Sequence, residues 1–371
     1  MRKSLITASL ALLVGLAGCA DLGYYWQSVS GHISLMQAAR PVDEWLADVQ
    51  TPEKLKARLA LTQKIRNFAV SELKLPDNPS YQRYAHLQRK AVVWNVVAAP
   101  KLSLKLKTWC FPVAGCVGYR GYFSEAEAKL EAESLKAQDL EVSVYGVPAY
   151  STLGWSNWAG GDPLLSTFIS YPEGELARLV FHELAHQVAY SPGDTGFNES
   201  FATAVERLGG ACWLAANGTE AAKAEYAVFD GRRQQFRALT RATRLRLLAI
   251  YESNKPPAAD KYALIAMKSG VIDDFKAQYE QLKAGWNGYA GYDAWVKTAN
   301  NASFGALAAY DDGVPQFEAL FSQQHGDWVK FFEIVRHLAK IPKEERETAW
   351  KVALDKTPIN LNSKQQKEQH G

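Results

Sequence analysis

The chain has 371 residues, of which 47% are apolar and 22% are charged. This balance is typical of a globular protein and excludes a disordered, collagen-like or polytopic membrane chain. The formal net charge of +3 is too small for a protein that binds nucleic acid mainly through its phosphates.

The N-terminus has the features of an export signal. A basic start is followed by an apolar stretch at residues 5–16, which is too short to span a membrane. The residues Leu-Ala-Gly-Cys that end at Cys19 resemble the bacterial lipobox, in which the cysteine is lipidated and becomes the mature N-terminus. We therefore expect residues 1–18 to be a lipoprotein signal peptide, with an ordinary signal peptide as the alternative. Because Ala20 rather than an aspartate follows, the resemblance implies an outer membrane lipoprotein that faces the periplasm.

The region from residue 20 to about residue 90 is predicted to be helical. Thr51 and Pro52 supply a cap and a first helical residue, and apolar residues then recur at helical spacing. Residues 24–26 read Tyr-Tyr-Trp, which suits either the water–lipid interface of a membrane or the start of a packed helix.

The middle of the chain mixes strand and helix signals. Residues 91–98 and 141–147 have the patterns of strands, and Ser124 with Glu127 forms a capping box for a helix between them. Residues 163–169 are a further predicted strand before the helix of the active site. This strand either offers its edge to an extended peptide or lies in the core.

Two cysteines predict a disulfide, in keeping with an oxidising compartment. Cys110 and Cys116 bracket a five-residue loop between an alternating stretch and an aromatic run, which is the pattern of a disulfide-closed β-hairpin. Metal ligation by this pair is the alternative. Cys212 stands alone among apolar residues and is expected to be a small buried side chain.

The sequence His-Glu-Leu-Ala-His at residues 182–186 carries the main chemical signal. His182 and His186 lie four residues apart on a predicted helix, so they project from one face and can bind the same ion. Zinc lowers the pKa of a bound water to about 7, and Glu183 can accept the proton of that water as general base. The alternative is a pair of core histidines on an apolar helix face.

A third ligand is expected on the following helix. A proline–glycine pair ends the first helix, and a second helix from about residue 197 would return antiparallel and bring Glu199 close to His186. Glu206 is the rival ligand, two turns further on the same face. Otherwise, Glu206 either orients a zinc-bound histidine or binds the α-ammonium group of a substrate.

These residues resemble those of known metallopeptidases. The first motif together with Asn-Glu-Ser-Phe-Ala at residues 198–202 is similar to the gluzincins, which implies His182, His186 and Glu199 as zinc ligands and Glu183 as the base. A narrower resemblance, over most of the mature chain, is to the bacterial "putative aminopeptidase" family of exported zinc lipoproteins. It is carried by the lipobox and by residues 149–155, 162–166, 181–187 and 194–206.

Three further features are candidates for the site. Asp162, just before a proline, is either an active-site group or a turn-forming residue. Tyr310 is a candidate donor to the developing oxyanion. Four arginines fall on one helical face, which is either solvated or meets anionic lipid or substrate; they are Arg233, Arg237, Arg241 and Arg244.

We therefore predict an α+β, mainly helical protein with the fold of a zincin-like metallopeptidase. A catalytic region at residues 19–215 would place a small β-sheet against the active-site helix. A C-terminal helical lobe at residues 216–355 would close the cleft, and residues 356–371 would form a polar tail.

The expected activity is hydrolysis of peptides by an aminopeptidase with one zinc ion per chain, held at the membrane through Cys19. A zinc endopeptidase is one alternative, and a lipid-anchored envelope scaffold or chaperone with a structural zinc is another. Three protein ligands leave a fourth position open, whereas a structural zinc is usually held by four, so the ligand set favours an enzyme. No nucleic-acid partner is expected.

Overall fold

The computed structural model describes residues 22–111, 114–253, 260–311 and 313–355. The predicted signal peptide, Cys19 and the polar tail at residues 356–371 lie outside the described residues, so these assignments stay predictions.

Helices dominate the described chain. They are α1 (22–38), α2 (Val42–Ala47), α3 (Glu53–Ser71), α4 (Glu125–Lys136), α5 (Glu173–Ala185), α6 (Thr195–Asn217), α7 (Glu220–Ser253), α8 (Lys261–Gly285), α9 (Asp293–Lys297), α10 (Asn301–Asp311), α11 (Val314–Gln323), α12 (Trp328–Lys340) and α13 (Lys343–Asp355). None of these described helices combines the length and the apolar character needed to cross a bilayer.

The strands of the described residues are short and form three small sheets. They are β1 (Arg40–Pro41), β2 (Arg83–Ala85), β3 (Val93–Pro100), β4 (Trp109–Phe111), β5 (Gly115–Val117), β6 (Arg120–Tyr122), β7 (Leu140–Val147) and β8 (Leu164–Leu165). The strand orders are β1-β2-β8 and β6-β3-β7, and β4 pairs with β5. The protein is therefore mainly helical α+β, as predicted.

The local signals in the middle of the chain correspond to real elements. The predicted strands at 91–98 and 141–147 are β3 and β7, which pair antiparallel along their whole length. Ser124 caps α4, because its hydroxyl accepts a hydrogen bond from the Glu127 amide. These two strands and α4 enclose a small core of their own.

The prediction of a strand at residues 163–169 is wrong beyond its first residues. Only β8 is extended, and the amides of Phe168 and Ile169 then bond back to the Leu165 carbonyl in turns. Both residues of β8 are buried. The extended part of the segment therefore lies in the core.

The β4–β5 hairpin is fixed over the turn that follows α5. A disulfide joins Cys110 to Cys116 across the hairpin. The Gly193 amide donates to the Ala114 carbonyl at 3.0 Å. A Cβ at Gly115, whose φ is +73°, would lie 2.5 Å from the Gly193 nitrogen, so only glycine permits this close approach.

The expectation that Cys212 is buried is wrong. Cys212 is a free cysteine, and the residue is exposed. Helix α6 buries its neighbours Trp213 and Leu214 in the core, while Ala211 and Cys212 lie on the solvent side of the same turn.

One large hydrophobic core surrounds α5 and α6. It includes side chains of α3, of the β1-β2-β8 sheet, and of α11 and α12. Helices α7 to α9 pack around a second cluster that contains Phe236 and Phe275. Within the expected lobe at residues 216–355, the last helices therefore share the core of α5 and α6.

Candidate metal centre

The packing of α5 positions two histidines at its C-terminal end. One face of the helix, which includes Val180, Phe181 and Leu184, is buried in the core. His182 lies in the last turn and His186 immediately follows the helix. Because this part of α5 is anchored on its apolar side, the directions of the two imidazoles are fixed relative to α6.

The turn between α5 and α6 is held by side-chain hydrogen bonds. Asn198 accepts from the Ser191 amide at 2.8 Å and donates to the Ser191 carbonyl at 2.9 Å. Asp194 caps α6 by accepting from the Phe197 amide at 3.2 Å. These bonds set the direction of the first turns of α6, where Glu199 follows Asn198.

Three potential ligand atoms converge between the helices. The Nε2 atoms of His182 and His186 are 3.2 Å apart, and the Glu199 Oε2 atom lies 3.4 Å from the first and 3.8 Å from the second. The edges of a tetrahedron with metal–ligand distances of 2.0 to 2.1 Å are about 3.3 Å long. The spacing of these three atoms therefore fits a zinc ion.

The electrostatics of the site favour a bound cation. Burial alone would lower the pKa of His182, but Glu199 and Glu206 outweigh it and raise the pKa well above its ordinary value. Burial lowers the pKa of His186 to about 4, so this imidazole is neutral and offers a lone pair. Two imidazoles and a carboxylate are a donor set that zinc prefers.

Glu206 contacts the imidazole nitrogen of His182 that does not face the other two ligand atoms. Its Oε2 atom lies 3.0 Å from His182 Nδ1, and its Oε1 atom accepts a hydrogen bond from Arg178. Burial alone would raise the pKa of Glu206, but Arg178 and His182 hold that pKa far below its ordinary value. Both carboxylate oxygens are therefore engaged, which favours an orienting role over the binding of an α-ammonium group.

A buried ionic network connects Glu206 to α7. Arg178 is 3% exposed and donates to Tyr226 at 3.1 Å and to Asp230 at 3.2 Å. Arg233 donates to Asp230 at 2.8 Å and makes two further bonds to Glu175 on α5. Arg233 therefore ties α7 to α5 instead of facing solvent or lipid.

The other arginines of the α7 face lie in different surroundings. Arg237 lines a cavity of about 240 Å³ that also reaches His182 and Glu183. Arg241 is exposed and Arg244 is half-buried. The four arginines thus do not form one continuous solvated face.

A cavity of about 510 Å³ opens over the three ligand atoms. Glu183 lines it beside His182 and His186. Burial raises the pKa of Glu183 to about 7, and the negative charge of Glu199 adds to this effect while His182 opposes it. A carboxyl group with a pKa near neutrality is well suited to accept a proton and return it.

Asp162 supports the site from a distance. It is 3% exposed and accepts from the Thr152 amide and hydroxyl at 3.1 and 2.7 Å, and from the Ser156 hydroxyl at 3.1 Å. Gln187, the residue after His186, donates to it at 3.3 Å. This geometry corresponds to the turn-forming role.

Sequence reasoning missed the tyrosines of the cavity. Tyr310 belongs to α10, but its side chain is not among those that the structure describes, so its role stays a prediction. Tyr119, Tyr150 and Tyr190 line the cavity. Burial raises the pKa of Tyr119 and the charge of Glu199 raises it further, so its phenol stays protonated. No sequence motif identifies Tyr119. It lies in the short connection between β5 and β6, and the packing of these strands brings it to the cavity.

A family model covers most of the chain. The family described as "Putative aminopeptidase" matches residues 23–350. The chain belongs to this family. Its description names a peptidase, which suggests a peptide substrate, and the match includes the whole of α5 and α6. No curated protein and no solved structure gives a significant match to the chain.

Proposed function

We propose that this protein is a zinc-dependent peptidase of zincin-like fold, and that it acts as an aminopeptidase. The convergence of His182, His186 and Glu199 at 3.2 to 3.8 Å, beside Glu183 in one cavity, carries the proposal. The description of the family supports the class of substrate.

Each residue of the site has a distinct role in the proposed reaction. The two histidines and Glu199 would hold the zinc ion, which would supply polarisation of the scissile carbonyl and a more acidic attacking water. Glu183 accepts the proton of that water and returns it to the leaving amine. The Tyr119 phenol donates a hydrogen bond to the oxyanion that develops on the carbonyl oxygen.

The choice between aminopeptidase and endopeptidase depends on what binds the substrate's α-ammonium group. Glu206 is already engaged by His182 and Arg178. Among the described residues that line the large cavity, only Glu183 and Glu199 carry carboxylates. The ammonium group would therefore be bound by carbonyl and hydroxyl oxygens of the wall, which contains Ser151.

A comparison of one peptide with a free and with an acetylated N-terminus separates the two activities. The aminopeptidase removes the first residue of the free peptide and leaves the acetylated peptide intact. Equal cleavage of both peptides, or internal cuts in a long unfolded protein, identifies the endopeptidase instead.

The scaffold hypothesis differs in the number of ligands. A structural zinc is normally enclosed by four protein ligands. The group of potential ligands found among the described residues has three members, and these border an open cavity.

We further propose attachment to the outer membrane through Cys19, for which the lipobox is the support.

The substitution Glu183→Gln tests the enzymatic role directly. We expect the variant to keep its zinc and to lose peptide hydrolysis by about 10²- to 10⁴-fold, the contribution typical of a general base. Glu225→Gln is the matched control, because Glu225 is exposed on α7. Zinc-loaded wild-type protein that cleaves nothing in a mixed-peptide digest would support the scaffold.

A further inference from the structure

Helix α1 has an exposed apolar face. Leu22, Trp26, Val29 and Ile33 are 70%, 73%, 53% and 48% exposed. At about 100° per residue, these four positions fall within about 60° of one another around the helix. Residues 22–38 contain no aspartate, glutamate, lysine or arginine. The face is therefore uninterrupted by charge.

The opposite face of α1 is fixed on the protein. The Gln27 side chain donates to the Gly121 carbonyl at 3.3 Å and accepts from the Phe123 amide at 3.0 Å. A ring nitrogen of His32 lies 2.5 Å from the Tyr150 hydroxyl. Because these contacts hold the orientation of α1, the helix cannot rotate to bury its apolar side.

We propose that this face of α1 inserts into the lipid bilayer next to the acyl anchor. The predicted lipidated residue, Cys19, lies only three residues before Leu22, and three residues span at most about 11 Å. The acyl chains would therefore enter the membrane beside the first turn of α1. An apolar helix face that carries a tryptophan suits this depth in the bilayer. The inference rests on the proposed lipid anchor and is independent of the proposed reaction.

The insertion would place the metal centre close to the membrane surface. Tyr24 and Ser28, on the inner face of α1, line the same cavity as His182 and Glu199. A helix is about 10 Å in diameter, so the wall of the cavity and the bilayer would be separated by a single helix. The substrates reached most readily would be peptides at the membrane surface.

Labelling from within the membrane tests this inference on the mature lipoprotein. The protein is reconstituted into vesicles of phosphatidylethanolamine and phosphatidylglycerol that contain an apolar photoactivatable carbene probe. The labelled positions are then mapped by mass spectrometry. Helix α8 is the internal control, since its Tyr262, Ile265 and Met267 are also exposed apolar side chains. We expect labelling of α1 to exceed that of α8 by at least about tenfold.

Two variants make the result specific. Serine at all four exposed apolar positions of α1 should abolish the labelling of α1. Serine at the three exposed apolar positions of α8 should leave the labelling of α1 unchanged. The mass of the N-terminal peptide reports acylation of Cys19 separately. An acylated protein whose α1 is no more labelled than α8 would overturn the inference while leaving the anchor intact. A chain without acylation would overturn both, and neither outcome bears on peptide hydrolysis.

Discussion

Replacing Glu206 with glutamine tests whether Glu206 orients His182 for metal binding. The change removes one negative charge between His182 and Arg178 and nearly preserves the volume of the side chain. Residues that orient a metal-bound histidine typically contribute 10- to 100-fold to metal affinity. We therefore expect zinc to bind about 10- to 100-fold more weakly, which corresponds to about 1.4 to 2.8 kcal/mol.

The same substitution should also lower the free energy of unfolding. Arg178 is 3% exposed, and the variant leaves it with Asp230 and Tyr226 as partners. Breaking a buried ion pair costs about 3 to 5 kcal/mol when the remaining charge is uncompensated. Because Asp230 still compensates Arg178, we expect a loss smaller than that range, about 1 to 3 kcal/mol.

Competition with a chromophoric chelator measures the zinc affinity, and urea titration of the zinc-free protein measures the free energy of unfolding. Glu225→Gln, at an exposed position of α7, controls for the loss of one charge. Unchanged zinc affinity in Glu206→Gln would refute the orienting role. If zinc were lost in this variant but retained in Glu199→Gln, Glu206 would be the third ligand.

Three further sets of substitutions have expected outcomes. Tyr119→Phe should lower kcat by about 100- to 1,000-fold through loss of a donor to the oxyanion, with unchanged zinc content; an unaltered kcat would remove the phenol from the mechanism. Serine at both Cys110 and Cys116 opens a short covalent loop, so urea titration should show a loss of about 2 kcal/mol, and equal stability would contradict this estimate. Because the hairpin lines the cavity, KM should rise more than kcat falls. Cys19→Ser should abolish fatty-acid labelling and recovery with the outer membrane, whereas recovery of the unmutated protein in a salt wash would argue against the anchor.

Local patterns predicted the elements that carry the candidate site. The spacing of His182 and His186, followed by a helix break and Glu199, correctly indicated two helices whose ends meet. Strand alternation gave β7, and the Ser124 cap gave the start of α4. These features depend on residues near one another in the chain, so they are readable without knowledge of the tertiary structure.

Contacts between distant segments were not predictable in the same way. The apolar run after Asp162 has the composition of a strand, yet it folds into turns beyond β8. The pairing of Arg233 with Glu175 arises only because α7 packs against α5. Tyr119 reaches the cavity through a strand connection that no sequence spacing specifies. In each case tertiary packing decides what the local pattern leaves open.

Zinc titration of the metal-free protein tests the central claim most directly. Wild type, Glu183→Gln and His182→Ala are titrated in parallel, and bound zinc is quantified per chain. We expect one tightly bound zinc in the wild type and in Glu183→Gln, because Glu183 acts on water and not on the metal, and none in His182→Ala. Equal zinc binding by wild type and His182→Ala, or no zinc binding by the wild type, would contradict the proposed metal centre.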